Sequence, residues 1–291
     1  MSRGGAFLAI DWGTTNRRVY RIEKGAVTAT TRDDRGVKAM AGAGYEAAIA
    51  DDRAALGDLP VLIAGMAGSS IGWREAAYAP APATIAALAA GLLPVEDRIA
   101  IVPGVAQREP HADVMRGEEV QLLGAAAAGM APPDALLCQP GTHCKWVQMA
   151  GGAIAGFTTA MNGELFALLR QHSVLASSLA GPVSDGAAFR AGVAEGARRD
   201  LAASLFGVRA RGLLGQLAAE DAASFASGVL IGADTAARLA GAPGAQVHIL
   251  ADPALGGLHA ASVETLGGSA ILLDSHAAFV AGITAIRELI Q

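Results

Sequence analysis

Ala9-Ile10-Asp11-Trp12-Gly13-Thr14-Thr15-Asn16 is the stretch that decides how this chain is read. An apolar run ends in an acid, a Gly-Thr turn follows, and Val19-Tyr20-Arg21-Ile22 completes a hairpin. A changed copy comes later: Ala135-Leu136-Leu137-Cys138, then Gln139-Pro140-Gly141-Thr142-His143-Cys144, then Lys145-Trp146-Val147-Gln148-Met149. With Gly13 laid on Gly141, Thr14 falls on Thr142, Arg17 on Lys145 and Val19 on Val147. One such hairpin per half points to an internal duplication. Two Gly-Thr turns facing each other would grip the phosphates of one nucleotide from both sides.

The chemistry of the turn fits. Glycine lets backbone approach a ligand closely. Successive N–H groups make an anion-binding concavity, to which Thr hydroxyls add donors. Asp11, closing a buried strand, is placed to hold Mg²⁺ directly or through water. A plain hairpin turn explains either copy alone, but explains the matched pair less well.

At 291 residues the chain has room for one or two domains. It is 52% hydrophobic, with Ala the largest contributor, and no apolar run reaches the roughly 18–20 residues of a membrane span. The N-terminus does not read as a signal peptide, so the expected location is cytoplasmic. Net charge is −5 with no Lys/Arg block, which argues against nucleic acid as a partner. Cys138 and Cys144 bracket the second turn and, with His143, offer three soft ligands in no recognisable zinc spacing; reduced thiols are the favoured reading.

Strand-like runs at 7–11, 18–22 and 26–30 predict a meander. Helices are expected at 45–56, 114–130, 163–171, 185–205, 227–239 and 277–289, with strands at 60–64, 99–102 and 247–250. The alternation predicts an α/β fold with mixed sheets. Pro132-Pro133-Asp134 is the best boundary, giving domains at 1–131 and 132–276.

At this point the residues resemble the 2-dehydro-3-deoxygalactonokinase family, within the superfamily of actin, Hsp70 and sugar kinases. The resemblance runs over nearly the whole chain. It is carried by Ile10 to Asn16, Gly65-Met66-Ala67-Gly68-Ser69 with Gly72-Trp73, and Ile101-Val102-Pro103-Gly104. It continues through Val114 to Ala125, Pro140 to Val147 and Gly163-Glu164-Leu165. Arg116-Gly117-Glu118-Glu119-Val120-Gln121-Leu122 followed by Pro140-Gly141-Thr142-His143-Cys144-Lys145-Trp146-Val147 is its most specific part. The resemblance implies two duplicated ribonuclease-H-like (actin-like ATPase) domains with an interdomain cleft. The N-terminal domain would be completed by the helix at 277–291 and take the substrate side; 132–276 would take the nucleotide side. It also implies ATP-dependent phosphorylation of the terminal (6-) hydroxyl of 2-dehydro-3-deoxy-D-galactonate, upstream of an aldolase.

The residues then take these expected roles. Asp11 holds Mg²⁺. Gly13, Thr14, Thr15 and Asn16, with Gly141, Thr142, His143 and Lys145, hold ATP phosphates. Glu118 is the general base, with Glu119 as second candidate, since an acid at this helix start can accept the hydroxyl proton. A plain cap by these acids is the bland alternative. Arg17, Arg18, Arg74, Arg116 and Lys145 are candidate cations for the sugar-acid carboxylate, with Arg17 and Arg116 favoured. Ser69, Ser70 and Trp73 are expected to contact substrate. The chain departs from the family near the nucleotide base: Ala251-Asp252-Pro253 replaces a small-residue turn, and Gly256 is the expected point of close approach to adenosine. A superfamily phosphohydrolase and a non-catalytic nucleotide-binding regulator are the alternatives. His111, Asp113, His172, His248, His259 and His276 receive no role.

Overall fold

The computed structural model describes residues 5–40 and 44–290. β1 (Phe7–Trp12) is buried at every position but Asp11. A run without polar alternation belongs inside a sheet covered on both faces. β2 (Arg17–Glu23) pairs with it antiparallel, and β4 (Val61–Gly65) pairs with it parallel. With β3 (Ala26–Asp33), β6 (Leu93–Glu96) and β7 (Ile99–Ile101) the order is β3-β2-β1-β4-β7-β6. β5 (Tyr78–Pro80), β8 (Gly104–Gln107) and β9 (Asp113–Met115) form a separate small sheet.

The second half contributes β10 (Ala135–Gln139), β11 (Cys144–Ala150), β12 (Ala153–Ala160), β13 (Gln246–Leu250) and β14 (Ser269–Leu273), in the order β12-β11-β10-β13-β14. β1–β4 and β4–β7 are parallel, as are β10–β13 and β13–β14. The two sheets therefore repeat one plan: a hairpin whose first strand is central, then parallel strands beyond it. The duplication read from the Gly-Thr turns is present in the topology.

The described residues divide into two compact units. The first runs to Asp134 and takes in Gln148–Phe157 and the chain from Ser275; the second is Ala135–Val147 with Thr158–Asp274. The outer part of the β11–β12 hairpin thus belongs to the first unit.

The helices are α1 (Val37–Met40), α2 (Tyr45–Leu56), α3 (Ile85–Ala90), α4 (Glu118–Ala127), α5 (Asn162–His172), α6 (Ala187–Gly196), α7 (Leu201–Leu213), α8 (Ala222–Leu239), α9 (Pro253–Thr265) and α10 (Ser275–Leu289). Two differences from the sequence reading have local causes. The helix expected over 114–130 starts only at Glu118, because Gly117 at φ 108° breaks the backbone and Asp113–Met115 is strand β9. The helix expected over 185–205 is two: Arg199 takes φ 64°, and Asp200 caps α7 by accepting from the Ala203 N–H. Among the described residues no helix is long and apolar enough to cross a membrane.

The helix layers meet backbone to backbone. A Cβ on Gly124 of α4 would stand 2.0 Å from the Ala278 carbonyl oxygen of α10, and one on Gly282 would stand 2.0 Å from that of Val120. In the second unit, Cβ atoms on Gly192 of α6 and Gly228 of α8 would each come within 2.1 Å of a carbonyl oxygen on the other helix. Gly228→Ala should therefore destabilise the protein at or above the upper end of the roughly 1–3 kcal/mol of ordinary overpacking. Gly207→Ala on α7, with nothing within 4 Å of its added methyl, should stabilise by about 0.5–1 kcal/mol. Urea unfolding of both variants checks the pair.

Candidate active site

In the first unit three backbones converge at Gly65. A Cβ there would lie 2.6 Å from the Trp12 carbonyl oxygen, and one on Gly117 would lie 3.1 Å from the Gly65 Cα. Both glycines have positive φ, 96° and 108°. This contact brings the start of α4 against the ends of β1 and β4, and so brings Glu118 into electrostatic range of Asp11. Burial pushes the Asp11 carboxyl up to about 6; Arg18 opposes the rise and Glu118 adds to it. Among the described residues no group donates a hydrogen bond to the Asp11 carboxylate. A desolvated carboxylate without a donor fits a cation such as Mg²⁺.

The adjacent acids at the head of α4 differ. Glu118 is half-buried and accepts from the Arg116 backbone N–H at 3.1 Å. Glu119 is fully buried; Oε2 accepts from the Gly117 N–H at 2.7 Å, and Oε1 has no partner. Burial pushes the Glu119 carboxyl up to about 8, with Glu118 adding, so it is protonated at neutral pH. Glu119 thus faces the core as a neutral acid.

Both Gly-Thr turns are braced by a helix start. In the first, the Val37 and Lys38 N–H groups donate to the Gly13 and Thr14 carbonyls, and Gly36 lies so close that a Cβ would fall 2.3 Å from the Thr15 carbonyl carbon. In the second, the Glu164 N–H donates to the Thr142 carbonyl at 3.0 Å, and a Cβ on Gly163 would lie 2.6 Å from the Gly141 carbonyl oxygen. The backbone N–H groups of Thr14, Thr15, Gly141 and Thr142 donate to no acceptor among the described residues. Two successive free donors per turn is the arrangement an anion needs. His143 is paired with Glu164 at 2.6 Å, and the buried Lys145 ammonium donates to Thr159 Oγ1 at 2.8 Å.

The expected substrate cations separate sharply. Arg17 is 2% exposed and fully engaged: Nη1 and Nη2 reach Asp52 at 2.6 and 3.0 Å, and Nε and Nη2 reach Asp33 at 3.0 Å each. It also lies over the Trp12 ring. Arg17 is thus tied into the fold by two carboxylates through Nε, Nη1 and Nη2. Arg116 differs: Nη2 donates to the Ala76 carbonyl at 2.7 Å and the guanidinium lies 4.2 Å from the Tyr78 ring centre, while Nε and Nη1 are buried without a partner. A Cβ on Gly68 would stand 3.0 Å from Nη1, so the Gly65–Trp73 loop runs beside it.

That loop is tightly wound, with the Trp73, Arg74 and Ala76 N–H groups turned back onto Ala67 and Gly68 carbonyls. The Ser69 hydroxyl donates to the Met66 carbonyl, and Ser70 is exposed. Trp73 is a core residue stacked on Tyr45. Gly256 sits in α9 facing Leu272 and Ala251, where it packs the helix onto β14. Asp252 caps that helix, accepting from the Ala254 and Leu255 N–H groups, with Pro253 at the first turn; Asp followed by Pro was the readable signal.

The sequence reading missed Asp234, a buried acid on α8 that accepts from Trp146 Nε1 at 2.7 Å and Asn162 Nδ2 at 2.9 Å. Its signal was an isolated acid in an otherwise apolar helix. It also missed His276, which stands with Arg18 and Tyr20 on the first unit.

The family model described as 2-keto-3-deoxy-galactonokinase matches residues 11–286. The chain belongs to this kinase family. A protein of Rhizobium meliloti (strain 1021) named as a probable 2-dehydro-3-deoxygalactonokinase is 40% identical over 100% of this chain and 99% of its own length. The 2-dehydro-3-deoxygalactonokinase of Escherichia coli (strain K12) is 35% identical over 98% of both chains. A crystal structure of a candidate 2-dehydro-3-deoxygalactonokinase from Sinorhizobium meliloti superposes with a TM-score of 0.90 at 38% identity, covering 96% of this chain and 97% of that one. The similar crystal structure thus extends over both halves of the duplicated two-sheet plan described above.

Two outcomes test these assignments. Arg17→Met should cost about 3–5 kcal/mol in chemical denaturation, because Asp52 is left buried and unpaired. Glu119 has a raised folded pKa, so between about 4.5 and 8 the unfolded chain releases a proton that the native protein keeps. Stability should fall through that window as pH rises, by up to about 1.4 kcal/mol per unit. Glu119→Gln should flatten the slope in urea titrations at pH 5.5 to 7.5.

Proposed function

We propose that this chain transfers the γ-phosphate of ATP to the 6-hydroxyl of 2-dehydro-3-deoxy-D-galactonate, giving the 6-phosphate and ADP in the cytoplasm. The observation that carries the reading is a braced Gly-Thr turn in each unit with two free backbone donors, joined in the first unit by a donor-free Asp11 and a half-buried Glu118. Gly141 and Thr142 of the second unit serve as phosphate-holding donors, and Gly13, Thr14, Thr15 and Asn16 form the corresponding turn of the first. Asp11 would hold Mg²⁺, which would supply charge neutralisation for the phosphoryl group. Glu118 orients the attacking hydroxyl and accepts its proton as transfer proceeds. Arg116 holds the sugar-acid carboxylate with its two unpartnered N–H groups, a role suited to a guanidinium. Residues 1–131 with the last helix serve the substrate, and 132–276 serve the nucleotide.

The test is ADP formation from Mg·ATP with 2-dehydro-3-deoxygalactonate, with its gluco epimer, and with no acceptor. ADP made only with an acceptor supports the kinase and the faster epimer names the substrate; equal ADP without acceptor moves the reading to a hydrolase. Asp11→Asn should abolish turnover with the fold intact, and Glu118→Gln should lower kcat by about 10²–10⁴-fold. Arg116→Met should act chiefly on KM for the sugar acid. Normal turnover in Asp11→Asn would end its assigned role.

A further inference from the structure

Cys138 and Cys144 stand on β10 and β11, on either side of the Gly141-Thr142 turn, and His259 reaches them from α9. Cys138 Sγ lies 3.6 Å from Cys144 Sγ and 4.0 Å from His259 Nδ1, and the three ligand atoms lie within 4.8 Å of one another. All three side chains are buried, walled by Trp146, Leu239, Val247, Ile249 and Val263. With Zn–S near 2.3 Å and Zn–N near 2.0–2.1 Å, tetrahedral angles put two ligating sulfurs about 3.8 Å apart and sulfur and nitrogen about 3.6 Å apart. The Cys138–Cys144 and Cys138–His259 pairs are within a few tenths of an ångström of that spacing without an ion, and all three ligand atoms lie within 4.8 Å of one another.

The protonation chemistry agrees with the geometry. Burial holds His259 down at about 4, so the imidazole is in its neutral, metal-binding form. Burial, with Cys144 beside it, raises the Cys138 thiol, so a bare thiolate is not tolerated here. Two thiolates with a divalent cation sum to zero charge, the state an apolar enclosure accepts.

We propose that Cys138, Cys144 and His259 form a buried site for a soft divalent cation of the zinc class. Two S–H bonds break, two metal–sulfur bonds and one metal–nitrogen bond form, two protons leave to solvent, and nothing is oxidised. The bound ion ties both arms of the second Gly-Thr turn to α9. That consequence rests on the phosphate-holding role of the turn; the site itself does not.

The experiment uses the full chain, reduced and stripped with chelator, titrated with Co²⁺ as the coloured stand-in and then with Zn²⁺. The expected result is sulfur-to-cobalt charge-transfer absorption saturating at one ion per chain, bleached by Zn²⁺, with two protons released per ion in a weakly buffered titration. Zn²⁺ should also raise the melting temperature. Cys144→Ala and His259→Asn should weaken binding by more than the roughly 10–100-fold of an outer-shell loss and abolish the melting shift, with circular dichroism confirming their fold. No charge-transfer band in the wild type, or uptake equal in the variants, overturns the proposal. So does a Cys138–Cys144 disulfide that forms in air and cannot be pre-empted by Zn²⁺. A cobalt band in a chain that makes no ADP with any acceptor would end the kinase reading and leave the metal site standing.

Discussion

The first unit depends on how near three backbones come at Gly65. The Trp12 carbonyl, the Gly65 Cα and Gly117 are stacked with no room for a side chain. The contact is steric and short-ranged, yet it sets an electrostatic result. It fixes where α4 begins, and the start of α4 places Glu118 within reach of Asp11. The second unit uses the same device at Gly163, where the start of α5 closes on the turn and Glu164 meets His143. In both units a missing side chain lets a helix start approach a strand end, and the charged groups follow.

Burial then sorts the charges. Arg17 and Arg116 are both buried, but Arg17 meets two carboxylates and Arg116 meets one carbonyl and an aromatic face. The first is satisfied by the protein and serves its stability. The second keeps unpaired donors, whose desolvation cost is recovered only when an acceptor arrives. Glu118 and Glu119 divide likewise: one residue step, about 100° of helix rotation, leaves the first half-buried and drives the second into the core as a neutral acid.

Much of this was legible beforehand. The duplicated hairpin, the meander and α2 over 45–56 follow from apolar runs punctuated by glycine, and the structure has them there. Adjacent strands with short turns are local events, so local sequence specifies them. What was illegible is which of several arginines finds carboxylates. Asp33 and Asp52 lie 16 and 35 residues from Arg17, and nothing in a linear pattern announces that meeting. Nor does an aromatic in a glycine-rich loop announce its partner: one face of Trp73 is stacked on Tyr45, from another part of the chain. His259 was passed over for the same reason: its neighbours Cys138 and Cys144 come from a distant hairpin.

The chain has three tryptophans, and each adjoins a segment of the candidate site. Trp12 follows Asp11 and lies 5.0 Å from Tyr45, which in turn stacks on Trp73 at 5.7 Å. Trp146 follows Lys145 and donates its indole N–H to Asp234. Intrinsic emission therefore has two origins, an excitonically close cluster in the first unit and a single carboxylate-bound indole in the second. The chromophores are built in where a ligand would change their surroundings, so the protein carries its own optical label for each turn.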